Sequence, residues 1–291
     1  YGMVRYILFS LDPSLWWGIM ILFFGTFSAL LGVIYALKEH DIKKLLAYHS
    51  IENIGIILIG VGLSIIFQSH GLPELAKLSL VASLFHTLNH ALFKSLLFLT
   101  AGAVVNATGT RNIEKMGGLI KTMPYTGILF LIGSVSIAAL PPFNGFVSEL
   151  IIFQAFLQSF IITSPFMKIL LFLGLSLFAL TSALAAACFV KAFGIIFLAT
   201  PRSEEARNAR EVSPFMLVGG GILAVLCAVL GIFSYQIFSL FGYHPPIPNL
   251  MVVSLFLLAM LGFVWLVLLL VTTGRTRTSE TWGCGITSQN S

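Results

Sequence analysis

Charged residues are scarce in this chain. Asp, Glu, Lys and Arg make up only 9% of its 291 residues, whereas soluble domains carry roughly 25%. Hydrophobic residues reach 58%, and the mean hydropathy is +1.00. This shortage of charge excludes a soluble globular domain, and the composition predicts an integral membrane protein.

Cysteine is also rare. Cys188, Cys227 and Cys284 are scattered, with no CxxC pair and no histidine at metal-ligand spacing. A disulfide framework, a zinc site and an iron–sulfur centre are therefore not indicated. We expect no cofactor, metal or redox centre in this chain.

The net charge of +5 does not predict a nucleic-acid partner. The basic residues lie mainly in short loops between apolar runs, where membrane topology accounts for them. The N-terminus also lacks the charged region, apolar core and cleavage site of a signal peptide. Membrane insertion is therefore expected to depend on the transmembrane spans themselves. The lipid bilayer is an expected partner of the chain.

Long apolar runs are what the sequence has instead. Runs of roughly 20 residues, the length at which a helix crosses a bilayer, predict eight spans at about 15–37, 45–67, 78–105, 124–140, 143–163, 168–199, 213–239 and 250–272. A β-barrel needs alternating segments of about ten residues, and these runs are continuous and twice as long. We predict an all-α integral membrane protein, a bundle of transmembrane helices in a single polytopic domain over 1–291.

One apolar stretch is interrupted. PPFNGF at 141–146 leaves backbone groups unpaired, because proline has no N–H and breaks a helix. Broken backbone at membrane depth is tolerated where it lines a cavity or is buried in protein. The sequence therefore predicts a discontinuous helix near 141–150.

The loops do not orient the chain when they are assigned alternately to two faces. One face then collects Lys38, Lys43, Lys44, Arg111, Lys115, Lys121 and Lys168, and the other collects Lys77, Arg202, Arg207, Arg210, Arg275 and Arg277. Seven basic residues against six give no preference under the positive-inside rule.

Three proton-binding residues share one helical stripe. His86, His90 and Lys94 recur at steps of four in FHTLNHALFKSLLFL, so they lie on one face and climb about 12 Å. Intramembrane charge costs roughly 2.5–3.5 kcal/mol on insertion scales, which places such a stripe toward the bundle interior or water. Histidine takes and releases protons near neutral pH. The stripe predicts a proton relay.

Two alternatives apply to this stripe. A single histidine in an apolar helix is more often a structural hydrogen-bonding residue, and three groups on one face weaken that interpretation. HTLNH also places two histidines at the spacing of a zinc-binding HExxH motif. Position 87 is Thr where a metalloprotease needs Glu, so we reject a metal site here.

Other ionisable residues lie within the apolar runs. Glu149 follows the predicted break and is interpreted as a functional carboxylate, with helix capping as the alternative. Lys191 lies about eight residues from the next loop, and a transport role and snorkelling to the interface are both open. Glu52 and His49 are predicted to form a polar entrance with Lys43 or Lys44, although these two lysines also fit ordinary loop charges.

Four segments carry a family resemblance. DIKKLLAYHSIENIG, HTLNHALFKSLLFL, LPPFNGFVSELIIFQ and TWGCG occur in this order and resemble the antiporter-like membrane subunits of respiratory complex I and its relatives. HSIENIG, Glu149 and TWGCG most resemble the large antiporter-like subunit of hydrogenase-4 and formate hydrogenlyase complexes. The subunits of Mrp-type sodium/proton antiporters are more distantly similar.

The resemblance implies two inverted repeats, each with a broken helix, and a central line of Lys, His and Glu that carries protons. It makes His86, His90 and Lys94 the relay of the second repeat, and Glu149 the carboxylate that gates exit. Tyr1 falls after the place where the lysine of the first repeat belongs. We therefore expect a fragment that holds the second repeat and the C-terminal helices.

The expected function is proton translocation within a redox-driven complex of the hydrogenase-4, formate hydrogenlyase or NADH-quinone oxidoreductase type. The expected partners are other membrane subunits of such an assembly, and the expected location is the inner, or cytoplasmic, membrane. Two alternatives remain, which are a truncated or structural fragment without transport of its own and a sodium/proton antiporter subunit of the Mrp type.

Overall fold

A computed structural model describes residues 14–246 and 248–271, together with residues 2 and 5. The TWGCG segment, Cys284 and most of the first eleven residues lie outside this part of the chain. The helices are α1 (Leu15–Lys38), α2 (Ile42–Ser69), α3 (Pro73–Thr108), α4 (Pro124–Ile137), α5 (Asn144–Gln158), α6 (Pro165–Phe197), α7 (Glu204–Asn208), α8 (Pro214–Ile232), α9 (Ser234–Leu240) and α10 (Leu250–Val271). Short 3₁₀ helices lie at Ile113–Lys115, Leu119–Lys121 and Ser159–Ile161.

The predicted all-α class is confirmed. In the described ranges the only β-type pairing is a single antiparallel bridge between Asp41 and Asn112. Seven helices are long and apolar enough to cross a membrane, namely α1, α2, α3, α5 with its 3₁₀ extension, α6, α8 and α10. The protein is therefore a multi-pass integral membrane protein. The described residues up to Met251 form one compact unit, and the part of α10 from Val252 onward belongs to a second.

Glycines allow α1 and α2 to approach each other closely. The glycines at this contact are Gly18, Gly25 and Gly32 on α1 and Gly55 and Gly62 on α2. A Cβ atom added at Gly32 would lie 2.6 Å from the backbone nitrogen of Glu52, which leaves no space for a side chain. Small residues at such positions are the common way in which membrane helices pack backbone to backbone. The contact holds Glu52 against α1.

The predicted discontinuity lies at residues 138–143, between α4 and α5. Ala139 has a φ of 50° there, a left-handed conformation that is uncommon for a residue with a side chain. At the start of α5, a Cβ atom on Gly145 would collide with the backbone carbonyl of Ser136. The glycine thus lets α5 begin directly against the end of α4.

Loops at one end of the bundle are joined by hydrogen bonds. Ile113 donates its backbone N–H to the His40 carbonyl at 2.9 Å, and Gly118 donates to the Leu198 carbonyl at 2.7 Å. The Glu211 carboxylate accepts the Thr126 hydroxyl at 2.5 Å, which brings the start of α4 to the same end. We call residues 38–44, 109–123 and 198–213 the basic face.

Other loops meet at the opposite end. The Gln154 side chain donates to the Pro246 carbonyl, and the Lys77 ammonium group lies 5.2 Å from the centre of the Tyr243 ring. Gln158 and Ile161 line the same surface cavity as Glu74. We call residues 68–77, 158–168 and 236–246 the opposite face.

The two faces correct the alternating assignment of basic loops. Lys168 follows the end of α5 and lies at the opposite face, while Arg202, Arg207 and Arg210 belong to the basic face, where Arg202 donates to the Met116 carbonyl at 3.2 Å. The alternation was wrong from residue 124 onward because α4 starts at the basic face and α5 ends at the opposite face. The apolar runs of α4 and α5 therefore cross the bundle once between them, and the alternating assignment had counted them as two crossings.

Candidate functional site

His86 lies at the centre of a buried hydrogen-bonded network. The side chain is completely buried. Its Nδ1 atom lies 2.9 Å from the Ser148 hydroxyl on α5, and its Nε2 atom lies 3.1 Å from the Asn53 side-chain oxygen on α2. One imidazole ring thus joins three helices of the bundle.

The start of α5 is held against α3 by amide groups. Asn89 donates through Nδ2 to the Asn144 carbonyl at 2.9 Å and to the Ser148 hydroxyl at 3.1 Å. Asn144 donates in return to Asn89 Oδ1 at 3.2 Å. These bonds join the first turn of α5 to α3, and they place Ser148 and Glu149 beside the stripe on α3.

His90 and Lys94 continue this stripe at helical steps of about 6 Å. His90 is half-buried, its ring centre lies 5.7 Å from that of Phe93, and its Nε2 atom is buried without a hydrogen-bond partner in the part of the chain that the structure describes. Lys94 is only 5% exposed and donates to the Leu46 carbonyl on α2. The stripe therefore faces the bundle interior.

Glu52 and His49 form a buried pair on α2. The Glu52 carboxylate contacts His49 Nδ1, and the two side chains are 1% and 0% exposed. The His49 ring lies against Phe189 of α6, with 4.6 Å between ring centres. Glu52 is also within electrostatic range of Lys94 and Glu149. This carboxylate thus interacts electrostatically with one residue of the α3 stripe and with Glu149.

Lys43 and Lys44 lie apart from this pair. Both are in the first turn of α2, where their backbone N–H groups donate to the Asp41 carboxylate at 2.8 and 3.2 Å. The Lys43 side chain is half-buried and that of Lys44 is exposed. Within the described ranges, no hydrogen bond or ion pair joins either lysine to Glu52 or His49. Asp41 is the helix cap here, a role that sequence reasoning missed.

Glu149 is the sixth residue of α5 and not its cap. Its side chain is 4% exposed, and its Oε2 atom accepts the Ser182 hydroxyl of α6 at 2.6 Å. The residue at the N-cap position of α5 is Phe143, whose side chain makes no capping hydrogen bond. The alternative in which Glu149 caps this helix is therefore wrong, because the helix already starts at Asn144, more than one turn earlier.

Lys191 lies near the basic face, where it donates through Nζ to the Leu37 carbonyl at 2.8 Å and to the Glu39 carbonyl at 3.5 Å. A cation at the C-terminal carbonyls of α1 interacts favourably with the helix dipole. The buried Cys188 thiol lies within electrostatic range of Glu52, Lys94 and Lys191, so Lys191 also borders the central group of charges.

Several functional neighbours were missed by sequence reasoning. They are Asn53, Asn144, Ser148 and Ser182, each of which bonds to a predicted site residue or its neighbour. The available signal was a polar residue inside an apolar helix, which weakly predicts an interior position. Among the residues that the structure describes, there is no group of three or more His, Cys, Asp or Glu side chains that could hold a metal ion.

The fold and the candidate site together define the class of protein to which this chain belongs. This is a multi-pass membrane protein whose helix bundle encloses a series of protonatable side chains beside a broken helix. Residues 1–178 match the family described as NADH:quinone oxidoreductase/Mrp antiporter, TM, and the chain belongs to this family. The predicted membership in the superfamily of complex I and Mrp subunits is thereby confirmed.

Two curated relatives come from Escherichia coli (strain K12). Hydrogenase-4 component B is 38% identical, in a match that covers 95% of this chain and 45% of the relative. Formate hydrogenlyase subunit 3 is 42% identical, in a match that covers 85% of this chain and 41% of the relative. The predicted similarity to these two subunits is confirmed, and the chain spans less than half the length of either.

A solved structure shows the same arrangement of helices. A chain of the membrane-bound sulfane sulfur reductase, an archaeal respiratory membrane complex, superposes with a TM-score of 0.74 at 27% identity. The match covers 92% of the present chain and 44% of the solved one.

Proposed function

We propose that this chain is part of a proton-translocating, antiporter-like subunit of a redox-driven membrane complex of the hydrogenase-4 or formate hydrogenlyase type. Family membership and the two Escherichia coli relatives support the class of subunit. The observation that carries the proposal is the enclosed series of His86, His90 and Lys94, which continues to Glu52 and Glu149. Ionisable groups inside a membrane bundle are costly and mark ion pathways.

The proposed relay has a main line and a side branch. Protons move along α3 between His86, His90 and Lys94, whose side chains follow one another at about one helical turn. Glu52 and His49 on α2 form the side branch, because Glu52 lies within electrostatic range of Lys94. The Nε2 atoms of His49 and His90, which have no hydrogen-bond partner among the described residues, suit ordered water, which bridges buried polar groups in protein interiors.

Glu149 is proposed to act at the end of the relay next to the broken helix. Among the residues that the structure describes, its hydrogen-bond partner is Ser182 and it has no ion-pair partner, so the carboxyl group is able to bind and release a proton without breaking an ion pair. Lys191 is proposed to tune this central group of charges from the basic face. Redox chemistry is assigned to partner subunits, and this chain is proposed to carry ions.

The proposed location is the inner membrane, with other membrane subunits as partners. The basic face carries nine basic residues, which are Lys38, Lys43, Lys44, Arg111, Lys115, Lys121, Arg202, Arg207 and Arg210. In residues 14–249 the opposite face carries Lys77 and Lys168. Because cytoplasmic loops are enriched in Lys and Arg, we propose that the basic face is cytoplasmic.

The proposal is tested by measuring protons moved per electron transferred in vesicles that contain the assembled complex. We expect His86→Gln to lower this ratio severely while the redox rate under uncoupled conditions persists. An assembled His86→Gln complex that pumps at the wild-type ratio would exclude the relay role. Repeating the assay with and without sodium, and measuring sodium uptake directly, identifies the transported ion.

A further inference from the structure

We propose that the Ser148 hydroxyl is a two-position hydrogen-bond switch for His86. Its hydrogen points to His86 Nδ1 when the imidazole is neutral and turns to the Gly145 carbonyl when the imidazole is protonated. Ser148 is thereby a positioning residue that links the charge on α3 to the first turn of α5. The inference rests on the proposed function in one respect, which is that His86 gains and loses a proton.

Asn53 fixes the nitrogen at which His86 changes its protonation. Asn53 Nδ2 lies 2.7 Å from the His49 carbonyl, which can only accept, so this end of the amide must be the NH₂ group. The Asn53 oxygen therefore faces His86 Nε2 at 3.1 Å. Because an amide oxygen cannot donate, Nε2 must carry a hydrogen. Nδ1 is left as the nitrogen that binds or releases the proton.

Ser148 lies where it contacts Nδ1 in both states. Its oxygen lies 2.9 Å from Nδ1 and 3.1 Å from the Gly145 carbonyl oxygen, and it accepts from Asn89 at 3.1 Å. A serine hydroxyl has one hydrogen and two lone pairs. It can therefore donate to a neutral Nδ1 or to Gly145, but its one hydrogen serves only one of them.

The protonated state completes the network. Nδ1–H then donates to one lone pair of the Ser148 oxygen, Asn89 donates to the other, and the hydroxyl hydrogen goes to the Gly145 carbonyl. In this step one proton passes to Nδ1 from a hydronium ion, so an N–H bond forms, an O–H bond of the hydronium breaks and a water molecule is left. The O–H bond of Ser148 rotates and does not break.

Other titratable groups surround His86 and enter any test in which pH is varied. His90 lies on the same helix, Glu52 and His49 lie on α2 beside Asn53, and Glu149 follows Ser148 on α5. Because none of these groups hydrogen-bonds directly to the His86 ring within the described ranges, the tautomer of the neutral His86 ring is set by Asn53, which leaves Nδ1 to Ser148. A measurement of which ring nitrogen of neutral His86 carries the hydrogen therefore tests the proposed hydrogen-bond arrangement most directly.

The test is solid-state NMR of the ¹⁵N-histidine-labelled complex in membranes, with the His86 signals assigned by their loss in His86→Gln. We expect the neutral His86 ring to be the Nε2–H tautomer in the wild type. An Nδ1–H tautomer in the wild type would overturn the proposal without any variant being made.

Variants at position 148 provide a second, independent test of the switch. We expect Ser148→Ala to change the Nδ1 signal and to lower protons moved per electron about tenfold, the effect of losing one hydrogen bond to a charged group. We expect Ser148→Thr, which keeps the hydroxyl, to stay within about twofold of wild type on the same reasoning. Ser79→Ala is the matched control, because Ser79 is buried on α3 and donates only to the Leu75 carbonyl of its own helix.

The outcomes separate the two proposals. If Ser148→Ala pumps at the wild-type ratio while His86→Gln does not, the switch is overturned and the relay stands. If His86→Gln also pumps at the wild-type ratio, the relay itself is excluded.

Discussion

Ser182 on α6 donates its hydroxyl to Glu149 on α5 with 2.6 Å between the two oxygens. This bond connects α5, the helix that follows the interruption after α4, to α6, the longest helix of the second half of the bundle. A buried carboxylate is normally stabilised by an ion pair or by several donors. In the part of the chain that the structure describes, Glu149 has one neutral donor, an arrangement in which both the charged and the protonated forms can be accommodated.

We predict that Glu149→Gln lowers proton pumping per electron on the order of 100-fold, because glutamine keeps the size and polarity of the side chain but cannot cycle a proton. Positioned proton-transfer groups contribute at least about this much. Glu149→Asp keeps the carboxyl group and should retain part of the activity. The measurement is proton uptake in inverted vesicles, with the uncoupled redox rate as the reference. An assembled Gln variant that pumps at the wild-type ratio removes Glu149 from the relay.

Ser182→Ala probes the same bond from the other side. We predict slower pumping, by about tenfold, since one hydrogen bond to a charged group is lost. Ser176→Ala is the control on the same helix, because Ser176 is exposed and its hydroxyl donates only to the Phe172 carbonyl. Equal pumping by the two variants would show that the Ser182 hydroxyl is not used.

Lys94 is predicted to be indispensable for coupling. Lys94→Ala should abolish proton pumping while the complex still assembles, and Lys94→Met should do the same while preserving most of the side-chain volume. The physical reason is that neither replacement binds a proton at the point where the α3 stripe meets the Leu46 carbonyl of α2. Lys168→Met serves as the control, since Lys168 is exposed at the opposite face. Pumping by an assembled Lys94→Met complex would contradict the prediction.

The Glu52 and His49 pair should show strong energetic coupling. Removing one partner of a buried ion pair costs about 3–5 kcal/mol when the other charge stays buried. We predict that Glu52→Gln, His49→Gln and the double variant give a coupling energy on the order of 1–3 kcal/mol, typical of residues in direct contact. The measurement is thermal unfolding of the purified complex in detergent. Additive effects of the two single variants would show that the contact is not energetically significant.

The α3 stripe and the helix break were predictable because each rests on a local rule. Steps of four put His86, His90 and Lys94 on one helical face, and intramembrane charge turns that face inward. Two prolines in PPFNGF stop the helix that precedes them. Neither inference needs to know which helix packs against which.

The partners of the stripe were not predictable in the same way. Ser148 and Ser182 lie 62 and 33 residues from the side chains that they contact, and many other serines in the chain bond only to the preceding turn of their own helix. Asn53 was present in the HSIENIG segment, but its role depends on the packing of α2 against α3. The failure of the alternating loop assignment has the same origin, because length and hydropathy do not reveal how two apolar runs are joined.

The corrected loop faces give a final prediction, which is that the basic face is cytoplasmic. Asn208 is exposed at the basic face and Gln68 is exposed at the opposite face. We expect Asn208→Cys to react with a membrane-impermeant maleimide only in inverted vesicles, and Gln68→Cys only in right-side-out vesicles.

The labelling is carried out in a Cys284→Ser background. Cys188 and Cys227 are buried and contribute little signal. The matched pair of uncharged amide residues keeps the change in side-chain chemistry the same at both faces. Labelling of Asn208→Cys from the outside would reverse the assignment, because the nine basic residues of that face would then lie on the side where the positive-inside rule disfavours them.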